Sequence, residues 1–255
     1  MRRIFLLLLI AAMLPIYSQA QADLFGETKT ESKKGFILGV NGSFDLPGAD
    51  MAKRFGVGYR IGPSVLYKTT SNWIFGAKFD FIFGNDIKED SFMYNISDQN
   101  GFFLTNQNSR EGVGIFERGY AVGLQAGKIF PLNKSNPNTG LMLLTGAGFM
   151  QHKINIYDRD KIVPQLAGEY RKGYDRLTNG VYVEQFVGYN HLDRKGLLNF
   201  NIGFDVLAGF TKGRRDYLYD VMRPDDKSRV DLLFGVRGGW YIPLFKRKSE
   251  EIFFE

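Results

Sequence analysis

Beyond residue 34, apolar side chains recur at every second position in segment after segment, the period of a β-strand and not of a helix. Residues 35–45 place Phe36, Leu38, Val40 and Phe44 on one face. Residues 57–68 set Val57, Tyr59, Ile61, Val65 and Tyr67 against Gly58, Arg60, Gly62, Ser64 and Lys68. The cleanest alternation follows, with Trp73, Phe75, Ala77, Phe79, Phe81 and Phe83 opposed by Gly76, Lys78, Asp80 and Gly84. Further strands are expected at 113–130 (Tyr120, Val122, Leu124, Ala126), 141–156 (Leu141, Leu143, Ala147, Phe149), 180–190, 197–211 (Leu198, Phe200, Ile202, Phe204, Val206, Phe210) and 230–242 (Leu232, Phe234, Val236, Trp240, Ile242). In 180–190 the pattern conflicts, because Phe186 breaks the parity of Val181, Val183 and Val187.

The face opposite the apolar one mixes glycine with Asn, Lys, Asp and Arg, which suits a narrow lumen better than a solvated exterior. A soluble β-sandwich is the alternative, but long, wholly apolar faces matched by polar partners favour an eight-stranded antiparallel up-and-down transmembrane β-barrel. Such barrels have apolar-out, polar-in strands and close on themselves, leaving no sheet edge in lipid. They also join strands by short periplasmic turns and long outer loops. The expected joins, 46–56, 69–72, 85–112, 131–140, 157–179, 191–196 and 212–229, alternate long and short. An even strand number puts both chain ends in the periplasm. The stretches 127–132 and 239–244 end alike, in Phe130-Pro131-Leu132 and Ile242-Pro243-Leu244, as strand ends at an aromatic rim.

Composition narrows the function classes. Of 255 residues 30 are Gly, well above the roughly 7% of average usage, and aromatics make up 15%. The absence of Cys excludes disulfides, thiolate metal sites and a cysteine nucleophile. A formal charge of +6, from which Arg2 and Arg3 are lost with a leader, is too weak a bias to suggest nucleic acid as a partner. Arg2 and Arg3 precede an apolar run from Ile4 to Ile16, and Ser18-Gln19-Ala20 supplies a signal-peptidase site. The run is too short to span a bilayer. The expected organisation is a cleaved signal peptide at 1–20, a periplasmic lead at 21–34, the barrel at 35–245 and a periplasmic tail at 246–255, with the bacterial outer membrane as the address.

With its signal peptide, its first strand Gly35-Phe36-Ile37-Leu38-Gly39-Val40-Asn41-Gly42, the segment Gly58-Tyr59-Arg60-Ile61-Gly62-Pro63-Ser64 and an aromatic third strand, the chain resembles the PorT-like outer-membrane β-barrel proteins. The resemblance covers the mature chain as a pattern and carries no catalytic motif. It implies an outer-membrane barrel and, more loosely, a link to protein export by the type IX secretion system.

An eight-stranded barrel is just wide enough for side chains to fill, so a passive porin is not expected. The inward set is Arg60, Lys68, Lys78, Asp80, Asp205 and Arg237, joined by Arg118, Gln125, Glu184, Asn199 and Asn201. Buried charges must pair, and a fixed ion-pair plug is expected ahead of a gated path. Two histidines exist. His191 falls in an expected periplasmic turn beside Asp193, and His152, near Asp158 and Asp160, is the one position where lipid chemistry could reside. Outer-loop carboxylates (Asp86, Glu89 and Asp90; Asp158 and Asp160; Asp225 and Asp226) could gather Ca²⁺, but none follows an EF-hand pattern. Gly56-Val57-Gly58-Tyr59-Arg60-Ile61-Gly62 misplaces the third glycine of a dinucleotide fingerprint and precedes no helix. Phe92, Tyr94, Phe102 and Phe103 in the 85–112 loop either bind a partner or pack over the mouth. No catalytic, cofactor-binding or metal-binding residue is assigned, and no cofactor is expected. The reading is a non-enzymatic accessory or scaffold subunit of a protein secretion or outer-membrane assembly machine. Its partners are outer-membrane lipid, lipopolysaccharide and membrane-complex proteins. A gated small-solute conduit and a lipid-modifying enzyme are the alternatives.

Overall fold

Alternating side chains on paired strands bury one face and expose the other, and here the exposed face is the apolar one. The computed structural model describes residues 32–89, 91–133, 135–193 and 198–245. The expected leader (1–20), nearly all of the 21–34 lead, and the 246–255 tail lie outside them. Eight strands form the wall: β1 (Gly35–Ala49), β2 (Gly58–Lys68), β3 (Trp73–Gly84), β4 (Gly114–Pro131), β5 (Gly140–Tyr157), β6 (Thr178–Leu192), β7 (Asn199–Gly213) and β8 (Ser228–Phe245). Each pairs antiparallel with the next, and β1 closes the ring on β8 from Gly35↔Phe245 to Ala49↔Asp231. No unpaired edge remains in the wall.

The outward positions are those that the periodicity predicts: Phe36, Val40, Tyr59, Trp73, Phe79, Leu124, Phe204 and Trp240 are all exposed. Phe186 resolves the conflict in β6, because it points inward and is fully buried while Val181, Val183 and Val187 face out. The strand is regular, and its apparent break in parity is an inward aromatic.

Strands β4, β5 and β8 each run 18 residues, beyond the roughly 9–11 needed to cross a bilayer. The excess lies at the end that carries the long connections, outer by the loop-length rule. There the outward face of β4 and β5 mixes polar with aromatic side chains, as in the pairs Phe116↔Asn155 and Arg118↔Lys153, and both strands still match the expected 113–130 and 141–156 to within a residue. β1 continues through Leu46, Pro47, Gly48 and Ala49. The first outer connection therefore shrinks to 50–57, no longer than the periplasmic 132–139, and the strict alternation of long and short fails at that point. Pro131 closes β4, but Pro243 does not close β8, which continues to Phe245.

Pro63 lies within β2 and has no N–H to give. The β2–β3 ladder runs to Ile61↔Phe81, skips Gly62 and Pro63, and resumes at Ser64↔Lys78 in the same register. A Cβ at Gly62 would stand 1.8 Å from the Phe79 carbonyl oxygen, so only glycine permits this approach. The tight turn between β2 and β3 takes Asn72 at φ 65°, and Thr69 Oγ1 accepts the Trp73 N–H at 3.0 Å.

Candidate functional site

The lumen is filled in three layers. At the periplasmic end Ile37, Leu66, Ile74, Ile129, Met142, Leu144, Phe186, Leu192 and Tyr241 form an apolar floor. Lys68 points inward, as expected, but belongs to this mouth and not to the mid-lumen: its Nζ donates to the Lys33 carbonyl and to Asn138 Oδ1, both at 2.9 Å. Asn72 Nδ2 donates to the Pro137 carbonyl at 2.9 Å, tying one periplasmic turn to the next.

Above the floor, six strands send charges to a common centre. Arg60 holds Asp45 through a two-pronged contact, Nε to Oδ2 and Nη2 to Oδ1, both at 2.8 Å. Its Nη2 also donates to Asp205 Oδ2 at 2.6 Å, and its Nη1 to Glu184 Oε1 at 3.1 Å. Lys78 bridges Asp80, at 2.7 Å, and Glu184. Arg237 approaches Asp205 at 3.5 Å and lies 4.8 Å over the Phe186 ring. Three cations thus meet four carboxylates, all buried. Cross-strand glycines make the room: Gly235, opposite both Asp45 and Asp205 in register, would bring a Cβ within 2.3 Å of Asp45 Oδ1.

The third layer seals the outer mouth. Met51 and Phe55 from the first connection, Phe92, Met93 and Phe103 from the second, and Val163, Leu166 and Tyr174 from the third pack onto wall residues such as Ile82, Met150, Ile154, Tyr182 and Leu233. Of the four aromatics singled out at 85–112, Phe92 and Phe103 are core residues, while Tyr94 and Phe102 are exposed. Inside this layer, His152 Nε2 lies 2.9 Å from Asp231 Oδ2, which also accepts the Thr211 hydroxyl at 2.5 Å. Arg54 reaches Asp231 Oδ1 at 3.3 Å and Thr178 Oγ1 at 3.0 Å. Phe55 stands edge-on to the imidazole at 5.5 Å. His152 is fully buried and pairs with Asp231, not with Asp158 or Asp160. Asp158 instead accepts backbone N–H groups of Ile162 and Val163. His191 belongs to the end of β6, not to a turn, and its ring lies 5.4 Å from Phe200 and 6.4 Å from Tyr189 on the aromatic rim.

Of the expected inward set, Gln125, Glu184, Asn199 and Asn201 are buried as predicted. Arg118 is not inward. It shares the parity of Tyr120, donates to the carbonyls of Glu117 and Gly84, and lies 4.9 Å over Phe116. Glu117 takes the inward place. Sequence reasoning also missed Asp45, Arg54 and Asp231. Asp45 could have been found, since it alternates with Phe44; Arg54 could not, because nothing in the pattern reveals that a connection folds back into the mouth.

Two ion-pair ties hold the outer connections together. Arg176, at φ 52°, reaches Glu89 at 2.9 Å and grips Asp220 with both terminal nitrogens, joining the second, third and fourth connections. Burial works against its charge, but the bonds to Asp220 and Glu89 outweigh it and hold the guanidinium above its ordinary pKa. Arg215 holds Asp175 in the same two-pronged way. Of the carboxylates considered for Ca²⁺, Glu89 and Asp225 are paired with Arg176 and Arg229, and Asp90 lies outside the described residues. Among the described residues no group of three or more His, Asp or Glu is placed to hold a metal ion.

A closed antiparallel ring with an even strand number, an apolar outside and a polar, packed inside is the outer-membrane type of barrel. The chain is similar to eight-stranded outer-membrane barrels. Neisserial surface protein A is 9% identical, with a TM-score of 0.47 over 84% of this chain and 100% of its own. Ail of Yersinia pestis, solved with the heparin analogue sucrose octasulfate, is 12% identical with a TM-score of 0.42 over 82% and 98%. OprG from Pseudomonas aeruginosa is 12% identical with a TM-score of 0.37 over 84% and 97%. Likeness at this level does not reach function. No family model and no curated protein matches the chain, so the resemblance to PorT-like barrels rests on the residues that carry it.

Proposed function

We propose that this chain is a non-enzymatic barrel of the bacterial outer membrane, acting as a scaffold or accessory subunit of a protein secretion or outer-membrane assembly machine. The observation that carries the reading is the outer cap. Its connections are packed into one apolar core and cross-tied by Arg176 and Arg215, so they present a preformed surface and not a set of independent loops. On that surface Tyr219 lies 6.2 Å from Tyr170 and 5.7 Å from Tyr217, and Tyr94 and Phe102 on the second connection and Met222 on the fourth are exposed. Exposed aromatics and Met on a rigid support are what protein interfaces select. The resemblance to PorT-like barrels directs the search toward the type IX machine. A lumen filled at three levels argues against a conduit, and a histidine sealed behind Phe55 argues against lipid chemistry at the outer rim.

The test is to tag the protein in its native host, solubilise outer membranes mildly and identify what co-purifies. Stoichiometric membrane-protein partners, reduced by a Tyr170→Ala/Met222→Ala variant, are expected. Recovery of a lone barrel, together with unchanged secreted and outer-membrane proteomes on deletion, would refute the reading.

A further inference from the structure

At the outer rim of β6, β7 and β8, outward side chains change character within one step of the ladder. Val181, Phe210 and Val230 lie in register across the three strands and are exposed at 62%, 55% and 41%. Two residues further out, about 7 Å along a strand, the register row is Asn179, Lys212 and Ser228, followed by Arg214 where the chain leaves β7. A groove of about 380 Å³ opens along this boundary. Arg214 is positioned there by its own backbone N–H, which donates to the Leu177 carbonyl at 2.9 Å, and by its Nε, which donates to Asn179 Oδ1 at 2.6 Å. Its two terminal nitrogens remain as donors.

Three other cations of the outer rim are already engaged. Arg229 pairs with Asp225 at 2.6 Å, Lys153 lies 3.8 Å from Asp175, and Arg118 donates to backbone carbonyls. Lys212 and Arg214 pair with no acid among the described residues. The one carboxylate lining the groove, Asp50, is occupied by Lys53 at 2.7 Å and by the Val230 N–H at 3.0 Å. Asp216, Asp225 and Asp226 border a neighbouring groove with Lys212 and Arg214 but form no ion pair with either. Two unpaired cations directly above a lipid-facing apolar row complement one kind of molecule, an anionic headgroup with its acyl chains attached. A free anion would need the cations but not the row beneath them.

We propose that this rim is a binding site for the phosphate-bearing headgroup of an outer-leaflet lipid, with Lys212 and Arg214 donating to the phosphate and Val181, Phe210 and Val230 supporting the chains. Lysine supplies a point charge and arginine a planar fork, both suited to phosphate oxygens.

The test uses the full-length barrel folded in nonionic detergent, titrated by native mass spectrometry with diphosphorylated lipid A, dephosphorylated lipid A and inorganic phosphate. A one-to-one adduct with the diphosphorylated lipid is expected, weakened about thirtyfold when both phosphates are removed, because each cation near an anionic lipid contributes about a factor of five. The Lys212→Ala/Arg214→Ala variant should show the same loss, and Arg159→Ala, an exposed cation of another connection, should bind as the wild type does. Equal binding of phosphorylated and dephosphorylated lipid, wild-type affinity in the double variant, or displacement of the lipid by millimolar inorganic phosphate would each overturn the proposal. The comparison of lipids on the wild-type protein stands even if the double variant does not fold.

Discussion

Arg60 contacts three carboxylates from three other strands within 3.1 Å, and so its loss is felt as an imbalance and not as one missing bond. In Arg60→Met, Lys78 and Arg237 alone would face Asp45, Asp80, Glu184 and Asp205 in a buried centre. Breaking a buried pair from one side costs about 3–5 kcal/mol, so the urea midpoint for loss of the compact barrel on semi-native gels should fall markedly. Asp45→Leu added to Arg60→Met removes the carboxylate that Arg60 holds through two contacts and should recover part of that loss; a double variant weaker than the single would count against a charge origin. Gly235→Ala acts on the same pair by volume. The new methyl collides with Asp45 Oδ1, and about 1–3 kcal/mol of destabilisation is expected, readable in the same urea assay. His152 differs, since it is a packed imidazole between Asp231 and Phe55. His152→Ala should lower stability and leave outer-membrane lipid composition unchanged; altered lipid species would make it a reactive group after all.

The elements divide by how much their surroundings constrain the sequence. Within the bilayer each outward position must be apolar, so Trp73 to Phe83 and Leu198 to Phe210 announce their strands and their facing directly. Above the bilayer that demand ends, and β1, β6, β7 and β8 run two to four residues past their expected outer ends, whereas β4 and β5 match their expected bounds to within a residue. Inward positions are legible only as far as their chemistry is unusual: Lys78, Asp80 and Asp205 stand out against apolar neighbours, whereas inward Phe186 reads as an error until Arg237 is seen above it. The cap was not legible, because its core joins Met51, Phe92 and Leu166 across more than a hundred residues with no local period to connect them. Arg176 is the joint on which three connections meet. Arg176→Ala should leave the transmembrane wall intact but expose the 158–177 and 214–227 connections to added protease on whole cells, where the wild type resists; equal resistance would show that the apolar core alone holds them.

For the whole molecule, the stacking of an apolar floor, a charged centre and an apolar cap makes closure redundant. A lid over an open tube would be the only barrier, and shortening it would produce a pore. Here the ion-pair layer from Asp45 to Arg237 lies entirely on the strands and owes none of its contacts to the cap. Wild-type protein in planar bilayers should therefore show no discrete conductance. The informative variant replaces the outer hairpin of Arg215–Leu218 and Arg223–Asp225 with a short Gly-Ser link, removing the ties to Asp175 and Arg229. With the cap loosened, the charged layer and the floor still fill the lumen, and the variant should remain silent. Stepwise currents from it would place the seal in the cap alone, make the barrel a gated conduit, and turn the buried charges from a structural plug into the lining of its path.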